Sequence, residues 1–181
     1  METNGANILL EQFNETIEKW MHYLDDYTLE MLYRRPSIQS WSLGQVYVHI
    51  IADTTFFVEQ INACLANDVN SEKDMRSEAK AMFTNNTFPD MPLENPYNDL
   101  NLRQPESKKE LLEGLTTIKA EVNRLYSAFD FSRSNGKTEH PGLRFFNALE
   151  WLQFAEMHMR HHLRQKGRID EKLFILKQHG Q

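Results

Sequence analysis

The stretch Ser42-Leu43-Gly44-Gln45-Val46-Tyr47-Val48-His49-Ile50-Ile51-Ala52-Asp53 decides the fold of this chain. Ser42 is a good helix N-cap, and Gln45 follows three residues on. At that spacing the cap side chain and the third helical side chain satisfy each other's backbone N–H groups. Trp41, just before the cap, is placed to staple onto Val46. Val46, Ile50, Phe57 and Ile61 then recur at the helical period, so the stretch opens an amphipathic helix running from Ser42 to near Asn67. His49 and Asp53, one turn apart, share that otherwise apolar face.

The same signals recur on both sides. Upstream, Leu9, Phe13, Ile17, Trp20, Met21 and Leu24 predict a helix from Ala6 to Met31, closed by Arg34-Arg35-Pro36 because proline biases its predecessor away from the helical region. Downstream, Ser107 and Glu110 form a second capping box, leading into Leu111, Leu115, Ile118, Val122 and Leu125. Asn147 and Glu150 form a third, leading into Leu152, Phe154, Ala155 and Met159. Gly167 is the expected stop of that last helix, with Arg164, Lys166 and Arg168 suiting the negative end of its dipole. Ser71 to Met82 reads as a short helix, and Asp170 to Lys177 as another. Thr84 to Pro105 is polar and holds Pro89, Pro92, Pro96 and Pro105. Phe129 to Gly142 reads as a loop with turn chemistry at Ser134-Asn135-Gly136. The expectation is an all-α fold: a four-helix bundle forming one domain over residues 1–181. Residues 68–105 form an irregular, proline-rich crossover, and 168–181 a tail or short helix.

Composition narrows the function. The chain has 181 residues and a formal net charge of -6, and its basic residues are scattered among acids, which argues against a nucleic-acid partner. Cys64 is the only cysteine, so an intramolecular disulfide and a CxxC zinc motif are excluded; any metal must be held by histidine or carboxylate. No signal-peptide pattern and no apolar run of transmembrane length is present, and a cytoplasmic protein is expected.

Seven histidines are present, three of them in the run His158-Met159-Arg160-His161-His162. Residues four apart on a helix lie about 5–6 Å apart at Cβ, so His158 and His162 can aim at one point; His158 and His161, three apart, can do so too. His49 is the best-placed third ligand. Against this stands the plainer reading, in which a histidine on an apolar face is a hydrogen-bonded core residue and a histidine pair is a surface feature. Met159 follows His158, so the HExxH pattern of zinc proteases is absent.

Two blocks resemble the DinB/YfiT-like superfamily: Trp41-Ser42-Leu43-Gly44-Gln45-Val46-Tyr47-Val48-His49-Ile50, and His140-Pro141-Gly142-Leu143 with Glu150-Trp151 and His158-Met159-Arg160-His161-His162-Leu163-Arg164-Gln165. The resemblance implies a four-helix bundle holding one divalent metal ion on His49, His158 and His162, and it selects His162 over His161. It implies either a metal-dependent hydrolase or a transferase of low-molecular-weight thiols, acting on a small-molecule substrate, and a homodimer. Imidazole ligands suit zinc, nickel and iron alike.

Asp53 is open to three roles: fourth ligand, partner to an imidazole N–H, or general acid/base. Gln165 is expected to stand behind a ligand or to pack, its amide bonded to a neighbouring helix; His161 to lie at the surface or behind a ligand; His140 to line the pocket; and Trp41 and Trp151 to stand close by. Cys64 reads as a small core residue; His22 and His179 have no evident partner. Two other readings compete with an enzyme. One is a metal- or ligand-binding stress protein without turnover; the other is a bundle whose histidines are only core residues.

Overall fold

The computed structural model describes residues 2–88 and 101–175. The first expected helix divides. Helix α1 spans Glu2–Tyr23, a 3-10 turn covers Leu24–Asp26, and α2 spans Leu29–Tyr33. Thr28 causes the break: it is extended, and its hydroxyl accepts the Met31 N–H at 3.2 Å, capping a new helix.

Helix α3 spans Leu43–Leu65 with the full capping box in place. Ser42 Oγ accepts the Gln45 N–H at 3.2 Å, and Gln45 Oε1 accepts the Ser42 N–H at 3.0 Å. Helix α4, Ser77–Asn85, overlaps the short helix expected over Ser71 to Met82 but starts later and ends later, on Asn86 in the left-handed region (φ 48). Helix α5 spans Lys108–Ala128. Ser107 caps it, but Glu110 accepts the N–H of Glu106, not of Ser107, so half of that expected box moves one residue upstream.

Residues 129–142 are not a plain loop. Strand β1 (Lys137–His140) pairs antiparallel with β2 (Arg144–Asn147), Lys137 opposite Asn147 and His140 opposite Arg144. Strand β1 is polar throughout and β2 sets its two phenylalanines side by side, so neither gives an alternation to read. Gly142, at φ 100, makes the connecting turn. At Gly136 the chain passes so close to α3 that a Cβ would collide with the carbonyls of Cys64 and Asn67.

Helix α6 spans Ala148–Asp170, capped by the Asn147–Glu150 box. It does not stop at Gly167; it continues to Asp170 and then into a π turn, Glu171–Ile175. Packing overrides the glycine. Ile169 is buried, and Asp170 accepts the Tyr27 hydroxyl at 2.8 Å and the Lys166 ammonium at 2.7 Å. His179 and the rest of the expected final helix lie outside the described residues, as do Pro89, Pro92 and Pro96.

Both α1 and α3 pack against α5 and α6. Thr16 meets Glu156 and Trp20 meets Met159, so α1 and α6 run parallel. Asn14 meets Asn123 and Asn7 meets Tyr126, so α1 and α5 run antiparallel. Gly44 faces Pro105 and Gly114 faces Ile51, so α3 and α5 run parallel. The start of α5 therefore lies at the same end of the bundle as the start of α3, as a lengthwise crossover between them requires. Phe13, Ile17, Trp20, Tyr47, Ile50, Leu115 and Trp151 fill the core. The buried polar tips are matched: Trp20 donates to the Met159 carbonyl at 3.1 Å and Tyr47 to the Trp20 carbonyl at 2.9 Å. Among the described residues, no helix is long and apolar enough to cross a membrane.

Candidate metal centre

The antiparallel pairing of α3 and α6 brings His49 opposite His158 and His162. His162 Nε2 lies 3.1 Å from His49 Nε2 and 3.2 Å from His158 Nε2. The three residues each offer a ligand atom within 4.8 Å of the others, and as a group can hold a metal ion. Two imidazole nitrogens bound tetrahedrally at about 2.0–2.1 Å from one ion stand roughly 3.3 Å apart, so the spacing fits. His161 is not in the group; it sits beside His162 with ring centroids 5.2 Å apart.

The outer nitrogens strengthen the fit. His162 Nδ1 is 2.7 Å from Gln165 Oε1, an atom that only accepts, so Nδ1 holds the hydrogen and Nε2 presents its lone pair to the other two histidines. A lone pair facing two further imidazole nitrogens is the donor set that a cation satisfies. Gln165 thus stands behind a ligand, as expected, though the residue it bonds is on its own helix and not on a neighbouring one.

Burial holds all three imidazoles neutral, the state in which they bind metal. It pushes His49 down to about 4 and His162 down to about 3, with nearby imidazoles adding to each shift. His158 is held well below its ordinary value by burial first and by His162 and His49 after it.

Asp53 stands just outside the group. Its Oδ1 is 3.5 Å from His49 Nδ1 and its Oδ2 3.5 Å from His158 Nε2. Its side chain is 38% exposed, against 14% for His49 and 10% for His158, so the carboxylate lies on the solvent side. Shielding by its surroundings nonetheless pushes the carboxyl up to about 6.

Aromatic rings wall the rest. The Trp41 ring lies 5.0 Å from His49, Phe57 meets His158 edge-on at 5.5 Å, and Phe88 lies 6.2 Å from His158 and 5.6 Å from His161. Trp151 stands one ring further off, stacked on Phe57 at 5.6 Å. His140 is not beside the triad; it packs among Phe146, Trp151 and Phe154. Cys64 is buried, as expected, and His22 is exposed. Sequence reading passed over Phe88, which follows α4 in a segment with no periodicity. It also passed over the buried Glu156, although its spacing of four from Arg160 is a legible pairing signal.

The sequence profile of the DinB superfamily matches residues 12–165. The chain belongs to the DinB superfamily. The match takes in most of α1, all of α3 and α5, and the three histidines. This DinB chain is similar in structure to YfiT from Bacillus subtilis, described as "a probable metal-dependent hydrolase with an unusual four-helix bundle topology". The TM-score is 0.65 at 12% identity, covering 92% of this chain and 86% of that one. It is also similar to TT2238, "a four-helix bundle protein", with a TM-score of 0.57 at 15% identity, covering 91% of this chain and 98% of that one. At such identities the likeness shows the fold. A comparison with curated proteins finds no match.

Proposed function

We propose that this DinB protein is a divalent-metal-dependent enzyme acting on a small molecule, by hydrolysis or by transfer of a thiol. His49, His158 and His162 hold one ion, and Asp53 acts as acid or base. The observation that carries this is the convergence of three neutral imidazole nitrogens. No fourth ligand joins their cluster among the described residues. Structural zinc sites are closed by four protein ligands, whereas catalytic ones keep a position open.

A divalent ion there supplies a Lewis acid, able to make a water or a thiol more acidic. The chain supplies the rest. Gln165 fixes the tautomer of His162, and Trp41 and Phe57 limit access of bulk water to the imidazoles. Asp53, on the exposed side, is within reach of a molecule seated against the triad and can take or return its proton. The description of YfiT as a probable metal-dependent hydrolase supports the reading.

Metal analysis of purified wild-type and His49→Ala protein tests it. The expected result is close to one ion per wild-type chain and strong depletion in the variant. Loaded protein is then assayed on activated esters and amides, and on a thiol with an electrophile. Asp53→Asn is expected to keep the metal while losing most turnover. Negligible metal in the wild type rejects the reading, and metal without turnover on any substrate class turns it into metal binding alone.

A further inference from the structure

We infer that Phe88 is a positioning residue for His158, set in place by a row of side chains on α6. The inference rests on the metal-site reading above and concerns how one ligand of that site is oriented.

The three histidines are not restrained alike. His162 Nδ1 is held by Gln165 at 2.7 Å, and His49 Nδ1 faces the Asp53 carboxylate at 3.5 Å. His158 Nδ1 is buried and has no hydrogen-bond partner among the described residues. A ligating imidazole ordinarily has its ring angle fixed by such a partner. For His158 packing must do it. Phe57 supplies one side, edge-on at 5.5 Å and 87°, and Phe88 supplies another at 6.2 Å and 59°.

Phe57 is placed by α3 itself. Phe88 follows the end of α4 and belongs to no helix or strand, yet it is only 5% exposed. Its backbone is tied down from α6. Gln153 Nε2 donates to the Phe83 carbonyl at 3.0 Å and to Asn86 Oδ1 at 3.1 Å. Arg160 Nη2 donates to the Asn86 carbonyl at 2.8 Å, and Arg164 Nη2 to the Phe88 carbonyl at 3.3 Å. Positions 153, 160 and 164 are seven and four apart, so they share one side of the helix.

Arg160 is in turn locked by Glu156, with Nε to Oε1 at 2.9 Å and Nη2 to Oε2 at 2.7 Å. Glu156 is 3% exposed and also accepts the Thr16 hydroxyl of α1 at 3.0 Å. A bidentate pair on a buried carboxylate is rigid and directional. The order of restraint runs from Glu156 to Arg160, to the Asn86 carbonyl, to the turn that carries Phe88, and so to the His158 ring. The carbonyl of Phe88 is pinned as well, through Arg164, two residues after His162.

Cobalt(II) binding, measured by competition with a chromophoric chelator and by the visible spectrum of the loaded protein, tests this. Phe88→Ala is expected to weaken cobalt affinity by ~10–100-fold, the range for losing an outer-shell partner, and to alter the visible bands. Phe88→Leu and Arg160→Gln should give smaller losses in the same direction, and Phe88→Tyr should restore near wild-type binding. These three keep the test decisive if Phe88→Ala does not fold. Phe131→Leu, a buried phenyl packed on Tyr126, is the control: it should lower thermal stability and leave affinity unchanged. Wild-type protein that binds no cobalt overturns the metal-site reading and this inference with it. Wild-type binding that Phe88→Ala, Phe88→Leu and Arg160→Gln all match overturns this inference alone.

Discussion

At the residue scale, spacing in the sequence paired His158 with either His161 or His162, because residues three or four apart on a helix share a face, and the resemblance to the DinB/YfiT-like superfamily chose His162. It offered Asp53, one turn from His49, as a partner to an imidazole N–H and set Gln165 behind the ligands, but it did not reveal Phe88, which acts through a distance that only the folded chain sets. His140 is the sharpest case. It is expected to line the pocket, yet its ring lies in an aromatic layer among Phe146, Trp151 and Phe154. That placement has a measurable consequence. Burial pushes His140 down from 6.5 to about 4. Between those values the unfolded chain takes up a proton that the folded one refuses, so this histidine makes stability fall as pH falls from 6.5 toward 4. Solvent screening at a half-buried ring limits the effect to about 1–2 kcal/mol. The three triad histidines shift in the same direction. The contribution of His140 is therefore the difference between wild type and His140→Phe. Urea midpoints should show the variant gaining on the wild type between pH 7.5 and pH 5. A gap of equal size at both values would remove His140 from the account.

At the element scale, capping was the most legible signal, because a cap is a contact between residues three apart and needs no tertiary information. Ser42 with Gln45 and Asn147 with Glu150 formed complete boxes, and Ser107 formed half of one. The failures came where distant contacts decide. Gly167 carries the local signature of a stop, but Asp170 and Lys166 dock on Tyr27 and Tyr23 and draw the helix onward. Gly136 looks like turn chemistry, but its real constraint is the approach of β1 to the end of α3. The two glycines should therefore respond oppositely to alanine. At Gly167 a Cβ meets nothing within 4 Å, so Gly167→Ala should raise unfolding stability by about 0.5–1 kcal/mol, the ordinary gain at a helical interior site. At Gly136 the Cβ must displace the Cys64 and Asn67 carbonyls, so Gly136→Ala should cost about 1–3 kcal/mol. Urea denaturation of the two variants beside wild type checks both signs, and a stabilising Gly136→Ala would contradict the close approach.

At the scale of the whole molecule, amphipathic faces foretold a bundle but not its arrangement, since an apolar stripe says that a helix is buried and not against which partner. The parallel course of α3 and α5 and the antiparallel course of α3 and α6 come from contacts such as Gly114 on Ile51 and His49 on His162. That arrangement puts the triad across two helices far apart in sequence, 109 residues from His49 to His158. An ion bound by all three joins α3 to α6, and it does so only in the folded chain. Metal binding must then appear as folding stability: at a free metal concentration one hundred times the dissociation constant, the gain is about 2.7 kcal/mol. In a chain of this length each kcal/mol moves the melting temperature by roughly 2–4 °C, so saturation should raise it by roughly 5–10 °C. Scanning calorimetry with zinc, nickel or cobalt, and again after a chelator, should show the rise and its reversal. His49→Ala leaves two ligands on one helix and cuts the joint to α3. The rise within that variant should largely vanish, whatever its metal-free melting temperature. A rise of equal size in wild type and His49→Ala would place the ion elsewhere, and no rise in either would return the three histidines to the core.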